Sequence, residues 1–463
     1  MTDALKSSMD MSRALFEKLS KHWHGLEEGV YRPGFSPEES EAIQIIVDEA
    51  KSMGMNAYED LAGNTFLIYE GANRNLPVFM SGSHLDAVPN GGRYDGPAGV
   101  VAALAAVRAV HDAGQTPDRD MVVAIWRNEE SPWFGQFAVG SKLACGDLSA
   151  EFLQAAQKND GRTLKSHMTD IGLNTDALAA ALEHGETLLP MDRIAAFVEL
   201  HIEQGSQLEK AEKPLGIVTG IRGNLRFPKR IQFEGAAGHS GAVPQEERLD
   251  AVLAGAEYLQ RFKGFCQDLK DNGHDIVWSC PIATTGEGAS PTTIPAHFEI
   301  QPEIRSLSDA ILALGHVEMR KMAIELQWDT NVKVHMNEQS MVLGKAVAID
   351  EGLRALLADK AAGAQIDAME IPSGAGHDAA ILAQHGVTSG MIFLRHGNEG
   401  VSHRPDEIMT LGDNDDPFDL QGDFAKAVQV LKDTALNYKD VQETKPSNGD
   451  FSYHLQLRGA RPL

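Results

Sequence analysis

The residues best able to do chemistry in this chain are histidines and carboxylates, in a few short clusters. His84 and Asp86 form a His-x-Asp pair, Asp95 sits in the Gly-rich stretch GGRYDGPAG, and Glu129 and Glu130 are adjacent in RNEES. His201 lies in ELHIEQG, His377 and Asp378 in SGAGHDA, and His403 in GVSHRPDE. A histidine can ligate a metal while a carboxylate fixes its tautomer, and a carboxylate with two oxygens can bridge two ions. Adjacent carboxylates divide labour readily, one ligating while the other handles protons. Each item alone has a plainer reading: a structural His–carboxylate pair, a solvated edge at Glu129–Glu130, a turn residue at Asp95. Two carboxylates that follow the apolar run VVAIW, however, need a compensating cation if they are buried.

The elements that would position these groups can be read from the patterning. PVFMSGS (77–83), MVVAIW (121–126), FVEL (197–200) and GMIFL (390–394) are short apolar runs of strand type. Residues 96–113 predict a helix apolar almost all round, hence buried, and DAAILAQHG predicts another before the last strand. The candidate residues fall just beyond the ends of these strands. Functional sites in open α/β sheets gather at the carboxyl ends of strands, and here several ends deliver ligand-type residues. Between about 215 and 330 the pattern changes to strand (RIQFEGAA), long helix (ERLDAVLAGAEYLQRFKGF), strand (AHFEIQPEIRSL) and long helix (DAILALGHVEMRKMAIELQ). That is an α+β module inserted into a larger helix-covered α/β sheet domain made of 1–214 and 331–463. The first 23 residues read as an amphipathic helix, DNDDPFD (413–419) as an acidic surface loop, and the tail after about 440 as polar and poorly patterned.

The 463 residues carry 41 basic and 66 acidic side chains, a net charge of −25, and the pI is near 5.0. That field repels phosphate backbones and anionic lipid, which argues against nucleic-acid and membrane partners. A small anionic substrate would need a local cationic clamp. Cys145, Cys266 and Cys280 cannot build a disulfide framework and lack CxxC spacing. With no apolar segment of signal-peptide type or of membrane-spanning length, the expectation is a soluble, cytoplasmic protein.

Seven motifs in order, SHLDAVPNGGRYDGPAGV, RNEESPWFGQFAVGSKLACG, VELHIEQGSQLE, GHSGAVPQEERLDA, EIRSLSDA, SGAGHDAA and GVSHRPDE, span about residues 80–410. In this the chain resembles the hydantoinase/carbamoylase amidohydrolases, a group containing N-carbamoyl-L-amino acid hydrolases, β-ureidopropionases and allantoate amidohydrolases. The resemblance implies a mixed-sheet catalytic domain with helices on both faces, zinc-aminopeptidase-like, and a lid and dimerisation role for the inserted module. It implies two divalent metal ions per subunit (zinc, or manganese, cobalt or nickel). His84 and His201 would hold one and Glu130 and His403 the other, with Asp95 as the bridge. Asp86 would orient His84, and Glu129 would be the general base. His239, in GHSGAVP, would stabilise the oxyanion in the neighbouring subunit's site of a homodimer. Arg305 would clamp a substrate carboxylate, for which guanidinium geometry suits better than lysine. Gln204 and Gly374 are implied as further substrate contacts. The plainer reading of Arg305 is an ion pair with Asp309.

Three departures bear on the substrate rather than on the ligands. Gly238 stands where relatives often carry Asn, the stretch SPTTIP places Thr292 or Thr293 where an amide is usual, and Arg395 and His396 in LRHGNE could read a second anionic or polar group. The expected reaction is hydrolysis of a ureido or amide C–N bond in an N-carbamoyl amino acid or similar carboxylate-bearing substrate. A hydroxide generated between two cations would attack, with Glu129 as the base. The alternatives are an allantoate-type ureide hydrolase, an amidase acting on another N-acyl or N-formyl acid, and a silent binding protein. The intact ligand set and Glu129 argue against the last.

Overall fold

The computed structural model describes residues 3–286, 289–409, 419, 421–439 and 449–463. The chain forms two compact units, one of Met1–Thr219 with Ile349–Leu463, the other of Gly220–Ala348.

The first unit is built on a large mixed sheet. Strands β1 (Asn56–Glu59), β2 (Thr65–Tyr69), β3 (Val78–His84), β4 (Met121–Trp126), β5 (Ile194–Ile202) and β6 (Leu215–Ile221) are joined by Ser389–Leu394 and shorter edge strands. The centre runs Ser389–Leu394, β5, β3, β4, all mutually parallel, and β2 and β6 close it antiparallel on either side. Parallel neighbours need a crossover, supplied between β3 and β4 by the helix α3, Pro97–Asp112. Pro97 suits its first turn, where no amide bond is lost, and Ala98, Val101, Leu104 and Ala105 are completely buried.

Alternation along β5 covers both faces with helices. Val198 and Leu200 join the core that holds α3 and the amino-terminal helix Asp3–Leu19. Glu199, facing the other way, accepts the Ala379 amide at the start of helix Asp378–Gln384. The predicted strands and the buried helix at 96–113 are thus present, with β5 longer at both ends. Residues 37–69, to which the patterning assigns nothing, form helix Pro37–Ser52 and the hairpin β1–β2.

The unpatterned tail is corrected. Phe451–Leu457 is a helix capped by Asp450, and Arg461–Pro462 adds antiparallel to β1. Only Phe451 and Leu455, one turn apart, are its large buried apolar anchors, too few to read as a period. Most of the acidic stretch 413–419 lies outside the described residues.

The second unit pairs two long helices, Ala251–Asp271 and Asp309–Thr330, with two four-stranded antiparallel sheets and a two-stranded ladder. Its core includes Phe233, Tyr258, Phe262, Ile304, Leu312 and Leu326. The single strand expected for AHFEIQPEIRSL is two, His297–Ile300 in one sheet and Glu303–Ser306 in the other. Pro302 lacks the amide that a continuous ladder needs, so the break falls there.

Candidate metal centre

Because the central strands are parallel, their carboxyl ends share one edge of the sheet, and the candidate residues of the first unit meet there. His84 ends β3, and Asp95 lies in the turn before α3. Glu129 and Glu130 follow β4, His201 is the penultimate residue of β5, and His403 comes from the loop after Ser389–Leu394. Asp95 is the hub. Its Oδ1 lies 3.5 Å from Nε2 of His84 and 3.2 Å from Nε2 of His201, while Oδ2 lies 3.4 Å from Nε2 of His403. The same His403 nitrogen is 3.4 Å from Oε1 of Glu130.

Two groups of ligand-type atoms therefore share one carboxylate: His84, Asp95 and His201, and Asp95, Glu130 and His403. In each group the atoms lie within 4.8 Å of one another, and His84, Glu129 and Glu130 form a third such group. His403 is half-exposed and the others are buried.

The hydrogen bonds fix which nitrogen faces the cluster. Nδ1 of His84 lies 3.1 Å from the Asp86 carbonyl and 3.3 Å from its Oδ1, and Nδ1 of His201 lies 2.9 Å from the Ile202 carbonyl. An acceptor at Nδ1 places a proton there and turns the Nε2 lone pair inward. Nε2 of His84 is buried with no hydrogen-bond partner.

The electrostatics agree. Burial opposes a charge on His84, yet the Asp86 and Asp95 carboxylates beside its two ring nitrogens carry its pKa well above the ordinary value. At His201 burial is likewise outweighed by Asp95. Burial, together with neighbouring carboxylates, pushes Glu129 and Glu130 well above the usual carboxylate range. The pocket favours positive charge, and its donors are imidazole nitrogens and carboxylate oxygens. Those donors fit divalent ions of the zinc, manganese, cobalt or nickel type.

A layer of buried side chains holds the cluster. Asp86 accepts the amides of Glu129 (2.9 Å) and Glu130 (3.1 Å), so one carboxylate ties the end of β3 to the loop after β4. That loop turns at Asn128 with a left-handed φ of 49°, and Glu39 accepts both the Asn128 amide and Nη1 of Arg127. Glu407 accepts the Tyr94 and Asp95 amides at 2.7 and 3.0 Å. Ser402 donates to Asp95 and to Glu407, and Gln204 reaches Oδ2 of Asp95 at 2.6 Å. Behind β5, Ser83 donates to Glu199 and Ser141 to Asp378. The His377 ring sits 4.6 Å from that of His201, with its Nε2 3.0 Å from the Ser373 hydroxyl, and Gly374 opens the turn between Ser373 and His377.

Glu407, Ser402 and Glu39 are not singled out by the sequence reading. Glu199 has a usable signal, a carboxylate inside the apolar run FVELHI. Glu407, four residues past His403, has none.

Within the second unit, His239 pairs with Thr293 across a short ladder, and the Ser240 amide donates to the Thr292 carbonyl. The Gly241 amide donates to Nδ1 of His239 at 3.1 Å, so the ring carries its proton on Nε2. Thr292 Oγ1 lies 3.1 Å from the Ser290 hydroxyl.

Three expectations are corrected. Arg305 pairs with Glu303, two residues back on the same strand face, and Asp309 instead accepts the Ala346 amide. Arg395 is neutralised by buried Asp423 at 2.8 Å. His396 is fully buried against the Val401 carbonyl, so neither it nor Arg395 is presented to a second anionic group.

Comparison with known proteins agrees with this architecture. Residues 80–437 match the model of peptidase family M20/M25/M40. The chain is 31% identical to an N-carbamoyl-L-amino-acid amidohydrolase from a Pseudomonas species over 88% of this chain and 95% of that one. It is 28% identical to the allantoate amidohydrolase of Bacillus subtilis, over 84% of this chain and 90% of that one. A crystal structure of a hydantoinase/carbamoylase-family amidase from Burkholderia multivorans superposes with a TM-score of 0.81 at 25% identity, over 92% of this chain and 97% of that one.

Proposed function

The chain belongs to peptidase family M20/M25/M40, and from that premise we propose that it hydrolyses the C–N bond of an N-carbamoyl amino acid or similar carboxylate-bearing ureide. The observation that carries this reading is Asp95, one carboxylate shared by two groups of imidazole and carboxylate donors. Its relatives include amidohydrolases of N-carbamoyl-L-amino acids and of allantoate.

His84 and His201 would hold one divalent ion and Glu130 and His403 the other, with Asp95 between them. Such ions supply a water acidic enough to ionise near neutral pH and polarise the carbonyl. Glu129, buried and held by Asp86 through its own amide, takes the proton of the attacking water. As the bond to the amino-acid nitrogen breaks, Glu129 returns that proton to the departing nitrogen. The carbamic acid left behind falls apart into ammonia and carbon dioxide. His239, with its proton on Nε2, is suited to donate to the developing oxyanion, a contribution of about 2.7–4 kcal/mol for a single such donor. Arg305 is the carboxylate clamp, and Gln204, Thr292 and Gly374 complete the substrate contacts.

We assign the inserted segment 215–330 to covering the substrate and to dimerisation. On its helix Asp309–Thr330, Leu314, Val317, Ile324 and Trp328 fall at spacings of three, seven and four residues with Lys321 in the gap, and each of the four is 39–82% exposed. That spacing gathers them on one face of the helix, and it is this face that we assign to a second copy. Among the described residues no helix is long and apolar enough to cross a membrane. Three free cysteines fit a reducing cytoplasm.

The test is ammonia release by metal-loaded protein across N-carbamoyl-α-amino acids, N-carbamoyl-β-alanine, allantoate, and N-acyl and N-formyl acids. Release from a carbamoyl amino acid supports the proposal, and release from allantoate alone moves the assignment to the second named kind of relative. Silence on every ureide, with free amine appearing from an acyl acid, contradicts it.

A further inference from the structure

The second unit carries, next to Arg305 on the same sheet face, a polar side chain that the reaction above does not use. Across its sheet, one row of directly opposed residues reads Val277, Arg305, Asn224, Gly344. Opposed residues of an antiparallel ladder start their side chains on the same face with Cβ atoms about 4.5–5.5 Å apart, so Asn224 and Arg305 are side-by-side neighbours on that face. Oδ1 of Asn224 is buried and has no hydrogen-bond partner. On its other side Gly344 lies close against it, for a Cβ there would meet Nδ2 of Asn224 at 3.2 Å. In the next row of the same face Glu303 accepts from Arg305 and lies 3.0 Å from Nε of Arg226. That carboxylate ties the two guanidinium groups down and leaves Asn224 out of the network. A buried carbonyl oxygen without a donor is costly, and it is found where a ligand or water supplies the missing hydrogen.

We propose that Asn224 is a specificity-determining residue, whose side-chain carbonyl accepts the N–H borne on the same carbon as the substrate carboxylate. The inference rests on Arg305 being the carboxylate clamp. In an N-carbamoyl-α-amino acid the carboxylate and the ureido N–H share one carbon, so a guanidinium and an acceptor side by side on neighbouring strands can take both at once. In a β-ureido acid the N–H is one carbon further from the carboxylate and falls outside that reach. Asn224 thus selects α- over β-ureido acids.

The experiment compares wild type with Asn224→Leu, Asn224→Asp and Arg305→Ala on an N-carbamoyl-α-amino acid and on N-carbamoyl-β-alanine. KM is read where a compound is turned over and Ki where it only competes. In Asn224→Leu the α-compound should lose roughly 3- to 10-fold in KM or Ki, the range for one hydrogen bond, with kcat and the β-compound unchanged. Asn224→Asp sets a carboxylate against the guanidinium and should weaken both compounds. Equal weakening of both by Asn224→Leu, or none, overturns the inference. Indifference of both compounds to Arg305→Ala would instead sink the clamp assignment, whatever Asn224 does.

Discussion

Asp86 is the residue on which the geometry of the centre most depends, and Asp86→Asn measures that dependence. Its two oxygens take two buried amides, those of Glu129 and Glu130, and Oδ1 also lies 3.3 Å from Nδ1 of His84. Asparagine has nearly the same shape but only one carbonyl oxygen, so one of the amides must face an NH2 group. A buried N–H left without an acceptor costs about 1–3 kcal/mol. The cost is local, because it falls on the loop that ends β4, so it should appear as faster hydrogen exchange at those two amides. The same figures convert to roughly 5- to 150-fold, provided the loop opens by local rather than global unfolding. His84 keeps its bond to the Asp86 carbonyl but loses the charged partner, and loss of such an outer partner typically weakens metal affinity about 10- to 100-fold. Exchange is read by mass spectrometry on metal-free protein and affinity by chelator competition. Exchange within twofold of wild type together with unchanged affinity would refute the idea that Asp86 pins the loop and orients the histidine.

Other outcomes follow from particular residues. Burial raises the pKa of Asp60 to about 7, against the hydrogen bonds it accepts from Asn64. The native state therefore holds a proton that the unfolded chain has released between about pH 4 and pH 7, so this group's contribution falls as pH rises through that window, by at most about 4 kcal/mol. In urea unfolding at pH 5 and pH 7.5, Asp60→Asn should flatten the difference, and an unchanged pH dependence would show that Asp60 is not its source. Gly99→Ala puts a Cβ 2.1 Å from the Leu200 carbonyl oxygen, where α3 crosses β5. It should cost about 3 kcal/mol or more in a thermal or urea melt, and a loss below about 1 kcal/mol would mean that the helix is not held there. Trp328→Glu should turn the proposed dimer into a monomer in light scattering, and a dimer that survives the substitution would place the interface elsewhere.

Much of the architecture was legible because it follows from hydrophobic period. The parallel strands β3, β4, β5 and Ser389–Leu394 are short apolar runs buried on both faces, and α3 is apolar nearly all round. Their order delivers His84, Glu129, Glu130, His201 and His403 to one edge, which is why residue types at strand ends could be gathered into one site. In the hairpin β1–β2, the apolar run Phe66–Ile68 of β2 is of the same kind as the other strands and was passed over, whereas β1 and the capped tail helix have few apolar positions and take their order from tertiary contacts. The supporting shell was the least visible part. Glu39 and Glu407 look like any surface glutamate until the fold buries them against amides of the loops after β4 and before α3. The pairing of Arg305 with Glu303 was missed in favour of Asp309, although a spacing of two on a strand already places both residues on one face.

The central claim is that Glu129 moves the protons of hydrolysis while the ions are held by other residues. Glu129→Gln keeps the shape, and its backbone N–H still donates to Asp86, but its side chain cannot accept a proton. Assayed for metal content and for ammonia release from the best N-carbamoyl substrate, it should retain the wild-type metal complement and lose about 10²- to 10⁴-fold in turnover. Turnover within tenfold of wild type at full metal content would contradict the account.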